Sequence, residues 1–354
     1  MGQTDIKITK ANQSKLNQID FDNLVFGKTS SDHMFVMDYI DGQWQEPEIV
    51  PYQSMSFQPN LAVFHYGQSI FEGLKAYKYK DGGIYMFRPD QHIKRFNISA
   101  DRLCMPRVDE DVFMDGLKQL ISLDRDWVSD KEGNSLYIRP FMMATDEYLG
   151  VTPSKTYKFI IFTSPASVYY ADPVKLKVET EYVRASEGGI GYAKSGGNYA
   201  ASLLPAKKAI EEGYNQVLWT DSKSHEYIEE AGTMNIMFQI GDEIVTPSLS
   251  TSILSGITRR SVIELAKHWG IEINERKVSV QEIIEAIKTN QLVAAFGTGT
   301  AVTIHEVELI GLKGENHELP PLEGREFSKK VSDYLYNLKI GKADDFMGWM
   351  EKIL

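Results

Sequence analysis

The sequence predicts a two-domain α/β protein whose glycine-rich loops are gathered in its second half. Three observations lead there. The chain has 354 residues, more than a single hydrophobic core comfortably serves. Short apolar strands alternate along it with helical patterns of period 3.6. Near the middle, SVYYADPVKLKV carries a tyrosine pair, an Asp-Pro step and no periodicity, which marks a connection. The expected division is an N-terminal α/β domain over 1–165, a connection over 166–178 and a C-terminal domain over 179–354.

The elements follow in order. After a polar opening segment, AYKYK and IYMF flank Asp81-Gly82-Gly83 and read as a hairpin. A helix is expected from Asp90, because Ile93, Phe96, Ala100 and Leu103 share one face, and another over 110–123. KFIIFTS is a buried strand. In the second half a helix is expected over 199–212, closed by Gly213, and then the strand QVLWT. NIMFQI and EIVT form a hairpin around Gly241-Asp242. Val262, Leu265, Ala266 and Trp269 fall at i, i+3, i+4 and i+7, so GITRRSVIELAKHWG is an amphipathic helix ending at Gly270. LVAAF is a strand running into GTGTA, and a last helix lies near 324–338.

Composition excludes several functions. With 42% apolar and 25% charged residues the chain resembles an ordinary globular enzyme. A net charge of -11 and no basic stripe argue against nucleic-acid binding. The single cysteine, Cys104, forms no internal disulfide and suits a reducing, cytoplasmic setting. Apolar runs such as FIIF at 159–162 fall far short of the ~20 residues that cross a bilayer, so no membrane partner is expected. The start lacks an apolar signal core and has Ile6 where myristoylation wants Ser or Thr, so the sequons at Asn12 and Asn97 read as chance matches.

Missing motifs narrow the chemistry further. FGKTS ends like a P-loop but has Asp22 in place of the first glycine, and GTGTA has only two glycines of a dinucleotide fingerprint. Seven histidines without HxH or HExxH spacing, and one cysteine, make no metal site. Two anion nests remain. Gly256-Ile257-Thr258 stands at a helix start, where free N–H groups favour an anion, although taken alone an ordinary Ser/Gly cap is the commoner reading. Thr298-Gly299-Thr300-Ala301 follows a buried strand and reads as a second nest or a plain turn.

Lys194, in GYAKSGGNY, decides between these readings. It is either a solvated loop lysine or an amine that loses its proton and forms a Schiff base, with Gly196 and Gly197 letting a planar group approach the backbone. Glu230 in IEEAGTMN is the complementary acid, suited to hold a proton on a pyridine nitrogen.

Taken in order, GYAKSGGNY, EEAGTMN, LSGITRRSV and FGTGTA resemble the branched-chain amino acid aminotransferases, pyridoxal-phosphate enzymes of fold type IV. LVFGKTSSDHMF, HYGQSIFEGLKAY, FRPDQHIKRF and LYIRPF resemble the long form of that family, and the similarity covers about 20–340. The resemblance implies a smaller N-terminal α/β domain and a larger C-terminal pseudo-barrel domain. It implies pyridoxal 5'-phosphate held covalently by Lys194, which also moves the proton at the substrate α-carbon. Glu230 becomes the partner of the ring nitrogen and Tyr199 the neighbour of the phenolic oxygen. Arg95, Ile257, Thr258 and Thr300 bind the phosphate, and Thr233 lies beside the cofactor. The substrate carboxylate is implied to rest on Thr300-Ala301. Phe26, Tyr66, Phe71, Tyr169 and Thr233 would line the side-chain pocket, completed by Leu149 and Val151 of a neighbouring subunit. Arg139, beside Tyr137 and contributed across the dimer interface, would recognise the distal carboxylate of glutamate or 2-oxoglutarate.

The implied enzyme is a branched-chain-amino-acid transaminase of amino-acid metabolism. It would exchange the amino group between L-leucine, L-isoleucine or L-valine and 2-oxoglutarate in a ping-pong cycle, as a cytoplasmic homodimer. Relatives on the same fold, D-amino acid aminotransferase and aminodeoxychorismate lyase, are the alternative, and a non-catalytic anion-binding protein is the rival of another class. Two departures stand out. Val302 and His305 replace the redox CxxC that some relatives carry, and the adjacent Glu229 and Glu230 leave the ring-nitrogen partner ambiguous by one residue.

Overall fold

The computed structural model describes residues 4–167 and 172–354, in two compact units. The first comprises Met1–Val168, Ala193–Gly197 and Tyr336–Leu354; the second comprises Tyr169–Tyr192 and Asn198–Leu335. The five residues around Lys194 and the C-terminal tail thus group with the N-terminal part of the chain.

The first unit is built on a ten-stranded sheet. At its centre Ser135–Ala144 and Tyr157–Ala166 pair antiparallel in unbroken register from Ser135↔Ala166 to Ala144↔Tyr157. His33–Ile40 lies against one flank and Leu74–Lys78 against the other. The expected hairpin is present, Leu74–Lys78 with Ile84–Phe87, and its turn has Gly82 at φ 85°, a conformation that favours glycine. Met350–Lys352 extends the sheet beyond that hairpin.

Two helices cover the sheet. Pro89–Arg102 starts with proline at its first turn, where a missing N–H costs nothing, and buries Ile93, Phe96 and Ala100 as the periodicity requires. Glu110–Leu123 is capped by the Asp109 carboxylate, which accepts from the N–H groups of Asp111 and Val112 at 2.9 and 3.1 Å. Its face of Phe113, Leu117, Leu120 and Ile121 joins Phe35 and Phe159 in the core. Each such side chain contributes roughly 1.5–3 kcal/mol by leaving water.

The second unit carries a nine-stranded sheet. Val174–Val178 lies at its heart, parallel to Gln216–Thr220 on one side and Thr303–Leu312 on the other. That strand falls inside the segment read from sequence as a connection. Its Val-Lys-Leu-Lys-Val alternation buries Val174, Leu176 and Val178, a period-2 signal that the Asp-Pro step before it obscured. The register is irregular at Val174/Lys175, Leu218/Thr220 and Gln239/Ile240, where an extra residue bends the strand locally.

The helix expected over 199–212 runs Gly196–Glu211, three residues earlier, because the paired glycines that disfavour a helix in isolation sit in its first turn. Ile257–His268 and Glu326–Lys339 lie close to their expected places. A further helix, Val280–Lys288, opens with a capping box. Ser279 Oγ accepts from the Glu282 N–H at 3.0 Å while the Glu282 carboxylate reaches back to the Ser279 N–H.

Candidate active site

In the first unit the lysine loop is pinned by its backbone. Ser195 bridges antiparallel to Ile70, and the Phe71 N–H donates to the Lys194 carbonyl at 3.0 Å. The Lys194 N–H donates to Ser99 Oγ at 2.9 Å, and that hydroxyl donates to the Arg95 carbonyl at 3.0 Å. A Cβ on Gly196 would stand 3.0 Å from Ser69 Oγ, so the glycine permits this close approach. The Lys194 side chain is half-buried, with Nζ 4.9 Å from the centre of the Phe71 ring. Aromatic carbon therefore gives the amine the cover that its own loop lacks.

One strand position beyond Phe71, Glu72 is fully buried and holds two partners from the helix Pro89–Arg102. Arg95 grips it in a fork, Nε to Oε1 at 2.6 Å and Nη2 to Oε2 at 2.9 Å, and His92 Nδ1 meets Oε2 at 2.7 Å. Burial alone would raise the Glu72 carboxyl, but the Arg95 and His92 charges and hydrogen bonds outweigh it and hold the group well below the usual carboxylate range. Burial pushes His92 below its ordinary value, against the pull of Glu72, and the Arg95 and Lys194 charges add to that lowering. The helix face bearing Arg95 is thus held in place by the strand that carries Phe71.

Three aromatic residues and one guanidinium extend the group. Arg139 stacks 4.9 Å from the Phe71 ring centre and 5.3 Å from that of Tyr137, and its Nη2 donates to the Tyr137 hydroxyl at 2.8 Å. Phe26 meets Tyr137 edge to face, centroids 4.8 Å apart. A Cβ on Gly73 would fall 2.1 Å from the Tyr137 hydroxyl, so the glycine of FEG makes room for this phenol. Lys194, Phe71, Arg139, Tyr137 and Phe26 therefore form one continuous line of contacts. Tyr66 ends the short helix Ala62–Tyr66 and is exposed, as are Leu149 and Val151 on the loop after Ser135–Ala144. Tyr169 lies outside the described residues.

The second unit holds the other candidates. Glu230, on the buried strand Ile228–Ala231, accepts from the Leu254 N–H and from Asn235 Nδ2, both at 3.0 Å, and pairs with Arg184 Nε at 2.6 Å. Glu229 points to the other face, where Ser252 Oγ meets its Oε1 and Oε2 has no hydrogen-bond partner among the described residues. Burial raises the Glu229 carboxyl. Only Glu230 has both a paired cation and the donors that keep a buried carboxylate charged, which favours it over its neighbour as a partner for a basic nitrogen.

Asn235 ties Glu230 to the helix start. Its Nδ2 also donates to the Leu254 carbonyl at 2.9 Å, and a Cβ on Gly256 would lie 1.9 Å from its Oδ1. Gly256 is the N-cap residue of the helix Ile257–His268 and, as a glycine, has no side chain to cap it. Gly256 takes the cap position weighed from sequence, and the N–H groups of the first turn of this helix suit an anion. Asn235 also faces Thr298 across Asn235–Ile240 and Leu292–Gly299, which run into the Thr300-Ala301 turn. Thr233 lies in the turn joining Ala231 to Met234, and Tyr199 is half-buried on Gly196–Glu211.

The donor set fits the implied cofactor by its chemistry. A helix start with glycine at its cap suits a phosphate, a paired carboxylate suits a protonated ring nitrogen, and a lysine amine suits an aldehyde. Among the described residues no cluster of His, Cys, Asp and Glu could hold a metal ion, and no helix is long and apolar enough to cross a membrane. Sequence reasoning missed Glu72, His92, Ser99, Arg184 and Asn235 as site-supporting residues. Glu72 and Asn235 lay inside the quoted motifs FEGLKAY and EEAGTMN, so a signal existed; Arg184 had none.

The family model for "Amino-transferase class IV" matches residues 69–310. The chain belongs to the class IV aminotransferases. Among its relatives in that family it is 48% identical over 338 residues to "Branched-chain-amino-acid aminotransferase 2" of Bacillus subtilis, covering 94% of this chain and 93% of that one. It is 46% identical to "Branched-chain-amino-acid transaminase 1" of the same organism, over 94% of this chain and 95% of that one. The crystal structure of the Escherichia coli branched-chain amino acid aminotransferase superposes with a TM-score of 0.72 at 26% identity, covering 90% of this chain and 99% of that one. The branched-chain amino acid aminotransferase from Thermobaculum terrenum, in its PLP-form, shares the fold, with a TM-score of 0.72 at 20% identity over 90% of this chain and 98% of that one. This class IV aminotransferase therefore has the fold type IV architecture that its motifs implied.

Proposed function

We propose that this aminotransferase uses pyridoxal 5'-phosphate to exchange the amino group between L-leucine, L-isoleucine or L-valine and 2-oxoglutarate. The observation that carries the reading is the line Lys194–Phe71–Arg139–Tyr137–Phe26. It sets one amine against an aromatic wall that contains a single guanidinium. An apolar side chain gains ~25 cal/mol per Å² buried on such a wall, and a distal carboxylate gains the Arg139 charge. The alternative of a D-amino acid aminotransferase or aminodeoxychorismate lyase is not favoured, since the relatives at 45–48% identity are branched-chain enzymes by name.

When bound, pyridoxal phosphate supplies an electron sink that acidifies the hydrogen on the substrate α-carbon. Lys194 Nζ would hold the cofactor at rest and carry the proton at the α-carbon in both half-reactions. Glu230 would keep a proton on the ring nitrogen and Tyr199 would adjoin the phenolic oxygen. The Ile257 and Thr258 N–H groups, Thr300 and Arg95 would bind the phosphate, with Thr233 beside them. Phe26, Tyr66, Phe71, Tyr137 and Tyr169 would exclude water from the side-chain pocket. Arg139, oriented by its bond to Tyr137, would meet the distal carboxylate. Thr300 and Ala301 would receive the α-carboxylate. Leu149 and Val151, exposed on the chain, would serve a neighbouring subunit in a homodimer, and the enzyme would work in the cytoplasm on small molecules alone.

The test is the visible spectrum of the purified protein. A coloured protein whose visible band is lost on adding L-leucine, restored by 2-oxoglutarate and unmoved by D-alanine agrees with the reading. A response to D-alanine alone, or a colourless protein after incubation with pyridoxal phosphate, contradicts it.

A further inference from the structure

The Arg184 side chain, only 10% exposed in the second unit, has no assigned role, yet its guanidinium joins three segments around the proposed cofactor. Its Nε pairs with Glu230 Oε2 at 2.6 Å, an ion-pair contact rather than an aligned hydrogen bond. Its Nη2 donates to the Gly191 carbonyl at 3.1 Å and also to the Ser252 carbonyl. Gly191 stands three residues before Lys194, and Ser252 five residues before the helix that starts at Ile257. A side chain on Gly191 would meet the Ser252 carbonyl at 2.5 Å, and the Tyr192 N–H donates to the Thr251 carbonyl at 3.1 Å. The two loops therefore run in direct contact, with the guanidinium across their seam.

The same cation is paired with one of two adjacent buried glutamates and acts at longer range on the other. Glu230 has Arg184, the Leu254 N–H and Asn235 Nδ2, all of which favour a carboxylate. Glu229 has the Ser252 hydroxyl on one oxygen and no hydrogen bond from the described residues on the other. Burial raises it, the Ser252 bond and Arg184 oppose the rise, and Asp221 and Glu187 add to it.

We propose that Arg184 is a positioning residue that fixes Glu230 as the charged member of the Glu229–Glu230 pair and so decides which atom holds the ring-nitrogen proton. The inference rests on the functional reading above and extends it. A proton lying between Glu230 and a pyridine nitrogen has two places to sit. A cation at Oε2 stabilises the carboxylate and leaves the proton on nitrogen, where it makes the ring a better electron sink. Without that cation the proton moves to a Glu230 oxygen and the ring nitrogen becomes neutral. No other group gains or loses a proton. Arg184 touches no reacting atom in this scheme; it acts through Glu230.

The experiment is nitrogen-15 NMR of the full-length enzyme loaded with ring-labelled pyridoxal phosphate, with the unfolding midpoint of each apo-protein measured in parallel. The wild type gives a protonated-ring signal. Arg184→Met moves it towards the neutral-ring position and lowers kcat by on the order of tenfold, the factor one pKa unit represents. Arg184→Lys keeps a charge but loses the fork across Gly191 and Ser252, so its signal stays near wild type while its apo midpoint falls. Arg184→Gln replaces the methionine variant if that one does not fold. Glu230→Gln, the control, moves the signal to the neutral position. An unmoved signal in Arg184→Met or Arg184→Gln alongside a moved signal in Glu230→Gln overturns the proposal and leaves the functional reading intact. A signal unmoved in Glu230→Gln removes Glu230 as the ring partner, and the proposal falls with it.

Discussion

At the scale of single residues, the line of contacts from Lys194 to Phe26 rests on the buried ionic group of Glu72, Arg95 and His92. Glu72 joins the helix carrying Arg95 to the strand carrying Phe71. Glu72→Gln leaves Arg95 and His92 facing a neutral group in the core, and a loss of roughly 3–5 kcal/mol in urea unfolding is expected. The pH dependence has a definite sign. Glu72 titrates far lower in the folded protein than in the unfolded chain, so its contribution is complete above an unfolded pKa of about 4.3 and is lost as pH falls. His92 is also lowered, so its contribution fades as pH drops below about 6.5, the unfolded value. Unfolding free energy should decline on the acid side of neutrality, and Glu72→Gln should flatten that decline below about pH 4. An unchanged acid slope in the variant would contradict the assignment. Lys194 and Glu230 stood out in the sequence as candidates because a lysine among glycines and an acid pair before Ala-Gly-Thr are chemically conspicuous. Arg184 was not, because a lone arginine between YV and AS carries no local pattern and gains meaning only from Glu230, forty-six positions on.

At the scale of elements, glycine fixes two close approaches. Gly256 lies at φ -67°, which any residue adopts, so its constraint is space. A Cβ would strike Asn235 Oδ1. Gly256→Ala should shift Asn235, cost about 1–3 kcal/mol as overpacking does, and weaken pyridoxal-phosphate binding, read by titrating the apo-protein. Undiminished affinity would separate the helix start from the phosphate. The second approach is Gly73 against the Tyr137 hydroxyl, where a side chain would push the phenol off Arg139. Ser279→Ala, which removes one half of the capping box on Val280–Lys288, should cost about 1 kcal/mol and leave turnover unchanged. Helices with a clear apolar stripe were readable in advance, as Ile93, Phe96 and Ala100 illustrate. Val280–Lys288 was passed over although SVQE spells its cap, since the apolar stretch that follows is only nine residues long. Val174–Val178 was mistaken for linker because alternating lysines masked a strand buried on one face.

At the scale of the whole molecule, the tail Tyr336–Leu354 belongs with the first unit, an affiliation that sequence order could not convey. It brings Lys339 into the interior, against Phe87 at 5.0 Å. Burial pushes the Lys339 amine down to about 7, with the Lys75 charge adding to the effect. Its folded pKa lies below its unfolded value, so stability rises with pH between about 7 and the unfolded value near 10.4. Lys339→Met should therefore stabilise the protein at pH 7 by on the order of 1–4 kcal/mol, with the gain shrinking towards pH 10; a constant difference across that range would refute the burial argument. The proposed transamination requires the amine of Lys194 to bond the cofactor. Borohydride reduction of the loaded enzyme followed by peptide mass mapping locates that bond. The phosphopyridoxyl mass should appear on the peptide containing GYAKSGGNY and vanish in Lys194→Ala together with turnover. The same mass on any other lysine, or turnover surviving in the alanine variant, would contradict it.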